Sequence, residues 1–533
     1  MSLDRRDFIK YTGVSALLSV SSLPAFAQLA SSSVLRFVPS TNLASLDPHV
    51  STALVTVQHG YYVFDTLYGV DANLTPQPQM AERHEVSEDR LTWTIILRDG
   101  LTFHDGEPVR AADCAASLAR WSQRDGLGKS LAAAVDRYEA VDDKSFRIHL
   151  KAPFPKMLEV IGKPHSSPAF IMPERLANTP AEQPIQEMVG SGPYRFKADE
   201  FNPGSRVVYT KFEEYVPRDE EPSWTSGGKV AHFDRIEWHI ITDKATAASA
   251  LQLGEVDWLE NMPSDLALLF PEGSGVEMKV SDPLGTGGFM RFNHTTAPFD
   301  NVKLRQFVAR LVNQEDYLAS FSGVVQDPTI CRNMFPCTIP GVEEEGQEEL
   351  GSLVGASADE IAAALAKTGY EGERIVVLNP VDSADITPFA VIIADAMSKA
   401  GLNVDMQDMD FGTLLQRRAS KAPVEEGGWS IAPTSWPSVA IANPALNTTI
   451  RGEGAAGWAG WFESAEIEEK VADWLNAESE EDESRIREEV NEIALREVPS
   501  LPLGIYFPVT AYRSELEGVL GGSVRYPWNV RRR

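Results

Sequence analysis

Cysteine is scarce in this chain, which has only three among its 533 residues. Three cysteines cannot build a disulfide-dense scaffold or a zinc site of four thiolates. The nine histidines are scattered and form no His-Glu-x-x-His motif, so we expect neither a bound metal nor any other cofactor. The Gly-x-Ser-x-Gly turn of many serine hydrolases is also missing. These absences predict a protein that is not an enzyme.

Positive charge is outnumbered in this chain. It has 48 lysines and arginines against 77 aspartates and glutamates, a formal net charge of −29. Such a chain repels phosphate backbones and anionic membrane surfaces, which argues against nucleic-acid binding. Long apolar runs are missing as well, since no stretch after the N-terminus approaches the roughly 20 residues that span a bilayer. We therefore expect a soluble acidic protein that binds no nucleic acid.

The first 27 residues have the pattern of an export signal. Arg5 and Arg6 are followed by a mildly apolar stretch, and small residues at positions 25 and 27 offer a cleavage point. The two arginines, with Phe-Ile-Lys shortly after them, match the twin-arginine pattern. We predict a signal peptide over residues 1–27, twin-arginine export and a periplasmic mature protein. The alternative is an amphipathic first helix of the mature fold.

Export to an oxidising compartment would allow the cysteines to form a disulfide. Cys331 and Cys337 flank a short segment that contains a proline, and they are candidates for a disulfide that closes a small loop. Two free buried thiols are the alternative. Cys114 falls in a predicted helix, where we expect it to act as a small core residue.

The chain is too long for one hydrophobic core, since single cores stop growing at about 250–300 residues. Strands and turns dominate the first part of the chain, and β-α-β alternation follows the strand predicted at Phe289–Asn293. This rhythm predicts a mixed or parallel sheet covered by helices. The residues from about 500 onward are again strand-like, which is consistent with a return to the first lobe.

Several short motifs together carry a resemblance to a known family. They are Ser45-Leu46-Asp47-Pro48, Phe64-Asp65-Thr66-Leu67, Phe103–Val109, Gly190–Tyr194 and Phe292–Gln306. In this order they resemble the periplasmic solute-binding proteins of ABC importers, in the class that carries peptides, nickel complexes and opines (extracellular solute-binding protein family 5). The resemblance extends from about residue 35 to the C-terminus.

The resemblance implies a periplasmic-binding-protein-like α/β fold. Two mixed α/β lobes would enclose a ligand cleft, with an extra subdomain in the first lobe. We expect the first lobe over residues 28–280 with its subdomain at about 60–185, the second lobe over 281–500, and a C-terminal return to the first lobe over 501–533.

The function that the resemblance implies is solute capture without chemistry. A monomeric binding component would take up a peptide or peptide-like solute by hinge closure and deliver it to the membrane permease of an ABC transporter. Two alternatives stay open. One is an exported hydrolase or chaperone-like protein on the same lobes, and the other is a non-peptide solute such as an opine, a glycoside or a metal chelate.

The first candidate binding segment is Gly427–Pro437, which we expect to be an irregular loop. Its indoles and hydroxyls, on Trp429, Thr434, Ser435 and Trp436, offer the apolar walls and fixed donors of a pocket. In peptide-binding relatives the corresponding loop supplies an aspartate that pairs with the α-amino group of the peptide. No acid occurs here between Glu426 and Glu453. A ligand without a free α-amine, or one bound by a different acid, is therefore expected.

Three other segments are candidates for ligand contact. Trp458 lies between glycines that allow close approach, and Arg291 and Asn293 lie on the strand that enters the second lobe, where Arg291 could pair with a carboxylate. Thr52 belongs to an N-terminal loop. For each of these residues a packing or surface role is the alternative.

Overall fold

A computed structural model describes residues 33–321, 325–339, 341–343, 351–383 and 385–533. The predicted export signal, with Arg5 and Arg6, lies outside the described residues. The described strands are β1 Val34–Val38, β2 Asp65–Thr66, β3 Tyr68–Val70, β4 Pro76–Pro78, β5 Ala81–Val86, β6 Thr92–Leu97, β7 Val135–Ala140, β8 Ser145–Leu150, β9 Phe170–Ile171, β10 Tyr194–Phe196, β11 Arg206–Lys211, β12 Arg235–His239, β13 Trp258–Leu259, β14 Val276–Val280, β15 Thr286–Phe292, β16 Ile375–Pro380, β17 Val404–Met409, β18 Ile431–Pro437, β19 Ser500–Tyr506, β20 Val509–Arg513, β21 Leu516–Glu517 and β22 Arg531–Arg532. The described α-helices are α1 Leu54–Val63, α2 Ala111–Trp121, α3 Gly126–Ala134, α4 Met157–Ile161, α5 Glu174–Ala177, α6 Lys244–Leu253, α7 Ser264–Ala267, α8 Val302–Ala309, α9 Gln314–Leu318, α10 Ala358–Leu365, α11 Thr387–Lys399, α12 Phe411–Arg418, α13 Ala465–Asn476 and α14 Glu480–Glu497.

The first lobe is built on a seven-stranded sheet with the order β10-β11-β12-β1-β13-β20-β14. Its central strand β1 runs parallel to β12 and β13, and Phe37 pairs with Trp238 on one side and Trp258 on the other. These three aromatic residues are fully buried. Packing of large aromatic rings across neighbouring strands stabilises the centre of this sheet.

A four-stranded antiparallel sheet, β5-β6-β8-β7, forms the extra subdomain. Helix α2 covers it, and its buried Cys114, Leu118 and Trp121 are spaced for one helical face. The same hydrophobic cluster includes Trp474 and Val490 of α13 and α14. The subdomain therefore contacts second-lobe helices as well as the first lobe.

The second lobe contains a five-stranded sheet with the order β17-β16-β18-β15-β19. Strand β16 runs parallel to β17 and β18, and β15 runs antiparallel to β18 and β19. Helix α11 buries Phe389, Ile393 and Met397 in the core with the sheet residues Ile375 and Val377. The β-α-β alternation predicted from the sequence is present here.

The chain passes between the two large sheets at two adjacent places. It leaves the first sheet after β14 and enters the second at β15, and it returns between β19 and β20. Ser281 joins the crossings, since its backbone N–H and its hydroxyl each donate a hydrogen bond of 2.9 Å to the carbonyl oxygen of Pro508. Two short adjacent connections between rigid lobes have the geometry of a hinge. The return to the first sheet follows Tyr506, the last residue of β19.

Cys331 and Cys337 form a disulfide, and Cys114 is a free buried thiol. None of the helices in the described ranges is long and apolar enough to cross a membrane. Within the same ranges no cluster of three or more histidine, cysteine or carboxylate side chains is placed to hold a metal ion.

Candidate functional site

A cavity of about 390 Å³ lies between the two lobes, next to the crossings. Its first-lobe walls are Ser40, Thr41, residues 50–54, His165, Asn261, Ser523 and Arg525. Its second-lobe walls are Thr286, Ser383, Asp385, Ile386, Phe411, Leu415, Arg418, residues 433–437 and Tyr506. Asp282 and Pro508 line it from the crossings themselves. This volume falls within the range of small-molecule sites.

The position of the cavity follows from strand direction. In the second sheet the parallel strands β16 and β17 end at Pro380 and Met409, and the segments that follow them supply Asp385 and Arg418. In the first sheet β1 and β13 are parallel, and the residues that follow them include Ser40 and Asn261. Ligands of α/β proteins bind outside the carboxyl ends of parallel strands. Here both sheets direct these ends to one cleft.

Four of the residues predicted from the sequence line the cavity. They are Thr52 in the first lobe and Thr434, Ser435 and Trp436 in the second. The predicted irregular backbone is present at residues 427–430, but the prediction is wrong for Ile431–Pro437, which is strand β18 and pairs with β15 along its whole length. On its other side β18 pairs with β16 at Ile431 alone.

The predicted residue Trp458 lies behind the cavity wall. Its ring is T-shaped to that of Trp436, with the ring centres 5.7 Å apart. The guanidinium of Arg418 lies 4.8 Å from the centre of the Trp458 ring. The indole of Trp436 is buried and its Nε1 donates to no acceptor of the described chain. Trp458 therefore does not line the cavity itself but packs against Arg418 and Trp436, which do.

Trp429, Arg291 and Asn293 do not line the cavity in the described chain, and their polar groups are used internally. Arg291 donates hydrogen bonds to the backbone carbonyls of three residues, the shortest of 2.7 Å, and to Ser500 Oγ. Asn293 Nδ2 donates to the carbonyl of Trp429, and Trp429 Nε1 donates to the carbonyl of Arg418, both at 3.0 Å. Arg291 lies on β15, Asn293 directly follows it, and their internal hydrogen bonds support packing roles for all three residues.

Asp385 is the carboxylate that the second lobe contributes to the cavity. Asn261 of the first lobe donates a hydrogen bond of 3.1 Å from Nδ2 to Asp385 Oδ2, which links the lobes. No lysine or arginine of the described chain forms a salt bridge with Asp385. Burial raises the pKa of this carboxyl, while the longer-range attraction of Lys244 and the hydrogen bond from Asn261 oppose the rise. A carboxylate at a cavity wall that forms no salt bridge can accept hydrogen bonds from a charged group of a ligand.

Arg418 brings positive charge to the same lobe. It is the last residue of α12. Asp410 caps the N-terminus of this helix, where its side chain accepts a hydrogen bond of 3.0 Å from Thr413 N. Burial lowers the pKa of Arg418 to about 10, so its guanidinium remains charged at neutral pH. The described chain supplies no salt bridge to it. Asp385 and Arg418 give the second lobe one charge of each sign in the cavity.

Asp282 and Arg525 carry opposite charges near the connections between the lobes and partly compensate each other. Asp282 Oδ1 accepts a hydrogen bond of 3.0 Å from Leu284 N, while Oδ2 has no donor in the described chain. Burial raises the pKa of Asp282 to about 6, and the nearby Arg525 opposes this rise. Burial lowers the pKa of Arg525, while attraction to Glu260 and Asp282 favours its charged form. Burial also lowers the pKa of His165 to about 3, so its ring is neutral at physiological pH.

Asp282, Asp385 and Arg418 were missed as site residues at the level of sequence. The rule that ligands bind at the carboxyl ends of parallel strands could have found Asp385, because it follows the apolar strand 375–380. Arg418 resembles an ordinary basic residue at a helix C-terminus, where it complements the helix dipole. No local pattern distinguishes it.

Replacing Asp282 by asparagine is expected to remove a pH dependence of stability. Burial raises the pKa of the folded-state carboxyl to about 6, and the ordinary aspartate value is about 3.9. The folded chain therefore binds this proton more tightly than the unfolded chain, so its free energy of unfolding falls as pH rises through this window. Asparagine can still accept from Leu284 N.

The measurement is chemical denaturation of the ligand-free protein and of Asp282→Asn at about pH 4.5 and about pH 7.5. The variant is expected to gain stability relative to the unsubstituted protein at the higher pH. A stability difference that stays constant between the two pH values contradicts the assignment.

Comparisons with known proteins agree with this geometry. A family model described as bacterial extracellular solute-binding proteins, family 5 middle, matches residues 75–457. The chain is 33% identical over 536 residues to a probable peptide ABC transporter periplasmic-binding protein of Sinorhizobium fredii, with 100% of each chain covered. It is 26% identical over 527 residues to the glutathione-binding protein GsiB of Salmonella typhi, with 96% of each covered.

The fold has a close counterpart among solved structures. The periplasmic binding protein DppA of Helicobacter pylori, in complex with the peptide STSA, superposes with a TM-score of 0.77 at 20% identity, covering 94% of this chain and 98% of that chain. The predicted periplasmic-binding-protein-like fold is therefore confirmed. Proteins of the matched family take part in solute transport in the periplasm or outside the cell. The chain belongs to the bacterial extracellular solute-binding proteins, family 5.

Proposed function

We propose that the protein captures a small peptide-like solute with a free amino group in the cavity between its lobes. The observation that carries this proposal is Asp385, a carboxylate at the wall of a cavity of about 390 Å³ that forms no salt bridge in the described chain and feels only the longer-range attraction of Lys244. A ligand ammonium can form the salt bridge that the described chain does not provide. Its charge-assisted hydrogen bonds are about twice as strong as neutral ones.

The relatives support a peptide-like solute. The Sinorhizobium fredii protein is named for peptide transport and GsiB for glutathione binding. Strand β18 has no acid, so an amino group cannot be bound there as it is in peptide-binding relatives. Asp385, which comes from the connection between β16 and α11, faces the same cavity and can replace that acid. Free-amine peptides therefore remain suitable ligands.

Hinge closure follows from the distribution of the walls. A bound solute contacts the first lobe through residues 50–54 and Asn261 only when the cleft is closed, so binding favours the closed state. A permease then distinguishes the loaded protein by its shape. In this function the protein acts as a monomer, performs no catalysis and carries no cofactor.

The remaining parts of the proposal concern the route to the compartment. The pattern around Arg5 and Arg6 supports a signal peptide over residues 1–27 and twin-arginine export to the periplasm. The family match does not favour an exported hydrolase or a chaperone. No feature of the cavity in the described chain favours an opine, a glycoside or a metal chelate over a peptide.

Thermal unfolding with a small ligand panel tests the proposal. Trialanine and glutathione are expected to raise the unfolding temperature, because a ligand at about 100 times its Kd adds about 2.7 kcal/mol to stability by mass action. N-acetylated trialanine serves as the matched control and is expected to have a much smaller effect. Equal stabilisation by the acetylated and free peptides would contradict the role of the amino group, and hydrolysis of either peptide would contradict the absence of catalysis.

A further inference from the structure

We propose that the disulfide between Cys331 and Cys337 is a redox switch, whose formation favours the closed arrangement of the lobes and raises the affinity for the solute. This inference rests on the proposed solute capture and adds its regulation. The two cysteines close a short segment of the second lobe, residues 329–338, which we call the disulfide loop. Cys114, the third cysteine of the chain, is a free buried thiol, so the chain has this one redox-active pair.

The disulfide loop is fixed to the second lobe at its middle and near its start. The backbone N–H of Met334 donates a hydrogen bond of 2.9 Å to Asn491 Oδ1, and the carbonyl of Met334 accepts one of 2.8 Å from Asn447 Nδ2. Both asparagines are buried. The side chain of Gln314 accepts a hydrogen bond of 2.8 Å from the N–H of Cys331 and donates one of 2.7 Å to its carbonyl. The loop therefore moves with the second lobe.

Both chain connections between the lobes contact the disulfide loop. Thr329 pairs with Ile505, near the end of β19, through two backbone hydrogen bonds of 2.8 and 2.9 Å. Thr338 Oγ1 donates a hydrogen bond of 2.6 Å to the carbonyl of Leu284, in the connection that leads to β15. The disulfide packs in one apolar cluster with Ile505 and with Val280, the last residue of the first-lobe strand β14. The loop therefore holds the end of the first-lobe sheet against the second lobe.

These contacts exist in the arrangement in which the lobes enclose the cavity. Without the disulfide the loop has more conformational freedom, so closing the cleft must order Thr329 and Thr338 against the connections at a cost in chain entropy. A solute then has to shift a less favourable closing equilibrium, and its apparent affinity falls. A disulfide that only stabilised the fold would change the unfolding temperature and leave the affinity of the folded protein unchanged.

The redox step is a thiol–disulfide exchange. The thiols of Cys331 and Cys337 form the S–S bond and give up two electrons and two protons, and a disulfide oxidant accepts these and becomes two thiols. Cys331 is 3% exposed and Cys337 is half-buried, so exchange with an outside thiol begins at the sulfur of Cys337. Thiols stay reduced in the cytoplasm and oxidise in the periplasm. After the proposed twin-arginine export of a folded chain, the protein therefore gains its full affinity only outside the cytoplasm.

Calorimetric titration of the full-length mature protein with trialanine tests the switch. Reduction with dithiothreitol is expected to lower the affinity about tenfold, at a temperature at which circular dichroism shows both forms to be folded. Re-oxidation with hydroxyethyl disulfide is expected to restore it. The double variant Cys331→Ser and Cys337→Ser is expected to bind as the reduced form does and to be insensitive to dithiothreitol. Equal affinity of the two forms, with a change in unfolding temperature alone, would overturn the switch.

A variant that keeps the disulfide tests the contact with the first connection. Thr338→Val removes the hydrogen bond to the carbonyl of Leu284 and is expected to weaken trialanine binding about threefold. Thr368→Val is the matched control, because Thr368 Oγ1 donates a similar hydrogen bond of 2.7 Å to the carbonyl of Leu365, at the end of α10. The control is expected to bind as the unsubstituted protein does. Equal affinities of the two variants would overturn the proposed coupling through Leu284.

Hydrogen exchange of the ligand-free protein tests the connections without a solute. The N–H groups of Ser281 and Ile505 donate to the carbonyls of Pro508 and Thr329, and they are expected to exchange about tenfold faster after reduction. The amides of Thr92–Leu97 in the subdomain are the internal control and are expected to be unchanged. If no peptide binds but exchange at the connections rises, peptide capture fails and the action of the disulfide on the hinge stands. If trialanine binds both forms equally and exchange is unchanged, solute capture stands and the switch is overturned.

Discussion

Replacing Asp385 by asparagine is expected to weaken the binding of a free-amine peptide by about 30-fold or more. Loss of one partner from an enclosed hydrogen-bonded charge pair costs about 2–5 kcal/mol, and each 1.4 kcal/mol is a factor of ten in Kd. Asparagine has nearly the same shape and can still accept the hydrogen bond from Asn261. The change therefore removes the negative charge and leaves the link between the lobes.

Calorimetric titration of trialanine measures this effect, with Asp382→Asn as the matched control. Asp382 lies in the same connection, is exposed, and accepts a hydrogen bond of 2.7 Å from Phe411 N, which asparagine can also accept. This control is expected to bind as the unsubstituted protein does. Unchanged affinity in Asp385→Asn would place the amino group elsewhere in the cavity, with Asp282 as the remaining carboxylate there.

Replacing Arg120 by methionine is expected to lower the free energy of unfolding by about 3–5 kcal/mol, because it leaves a buried carboxylate without its partner. Arg120 and Asp47 are 2% and 1% exposed, and Nη2 lies 2.7 Å from Oδ2. Asp47 also accepts hydrogen bonds of 2.9 Å from the backbone N–H groups of His49 and Ile185. The pair therefore anchors the loop that leads to the cavity residues 50–54.

Urea denaturation followed by circular dichroism measures this loss. Arg485→Met is the control, since Arg485 is exposed on α14 and pairs with Asp482 and Glu489 on the same helix. Exposed pairs of this kind are worth about 0–1 kcal/mol. A loss in Arg120→Met no larger than that of the control would contradict a stabilising role for this buried pair.

Regular elements were predictable where the local pattern and the packing agree. The helix predicted around Cys114 is present as α2, Ala111–Trp121, and the strand predicted at Phe289–Asn293 is part of β15, Thr286–Phe292. Strand β18 was mispredicted because its prolines and tryptophan resemble loop chemistry. Its strand conformation is imposed by β15, which is distant in sequence and pairs with it from Thr286 to Phe292. Tertiary pairing of this kind leaves little trace in a local window.

The binding site was only partly predictable, for a related reason. Thr434, Ser435 and Trp436 are consecutive and offer obvious donors and an aromatic wall, and they do line the cavity. Asp385 and Arg418 differ from other charged residues because neither forms a salt bridge within the described chain, and this depends on every neighbouring element. A single carboxylate in so acidic a chain cannot be distinguished from solvated ones until the fold encloses it.

The order in which the strands are made has a consequence for biosynthesis. In the seven-stranded sheet, β20 at Val509–Arg513 lies between β13 and β14 and is the strand with which β14 pairs. In the five-stranded sheet the last strand, β19, ends at Tyr506. A nascent chain still short of residue 500 therefore has open edges in both large sheets, and such edges template aggregation. We expect the subdomain sheet, complete by Leu150, to fold on the ribosome, and both lobes to finish only near the end of translation.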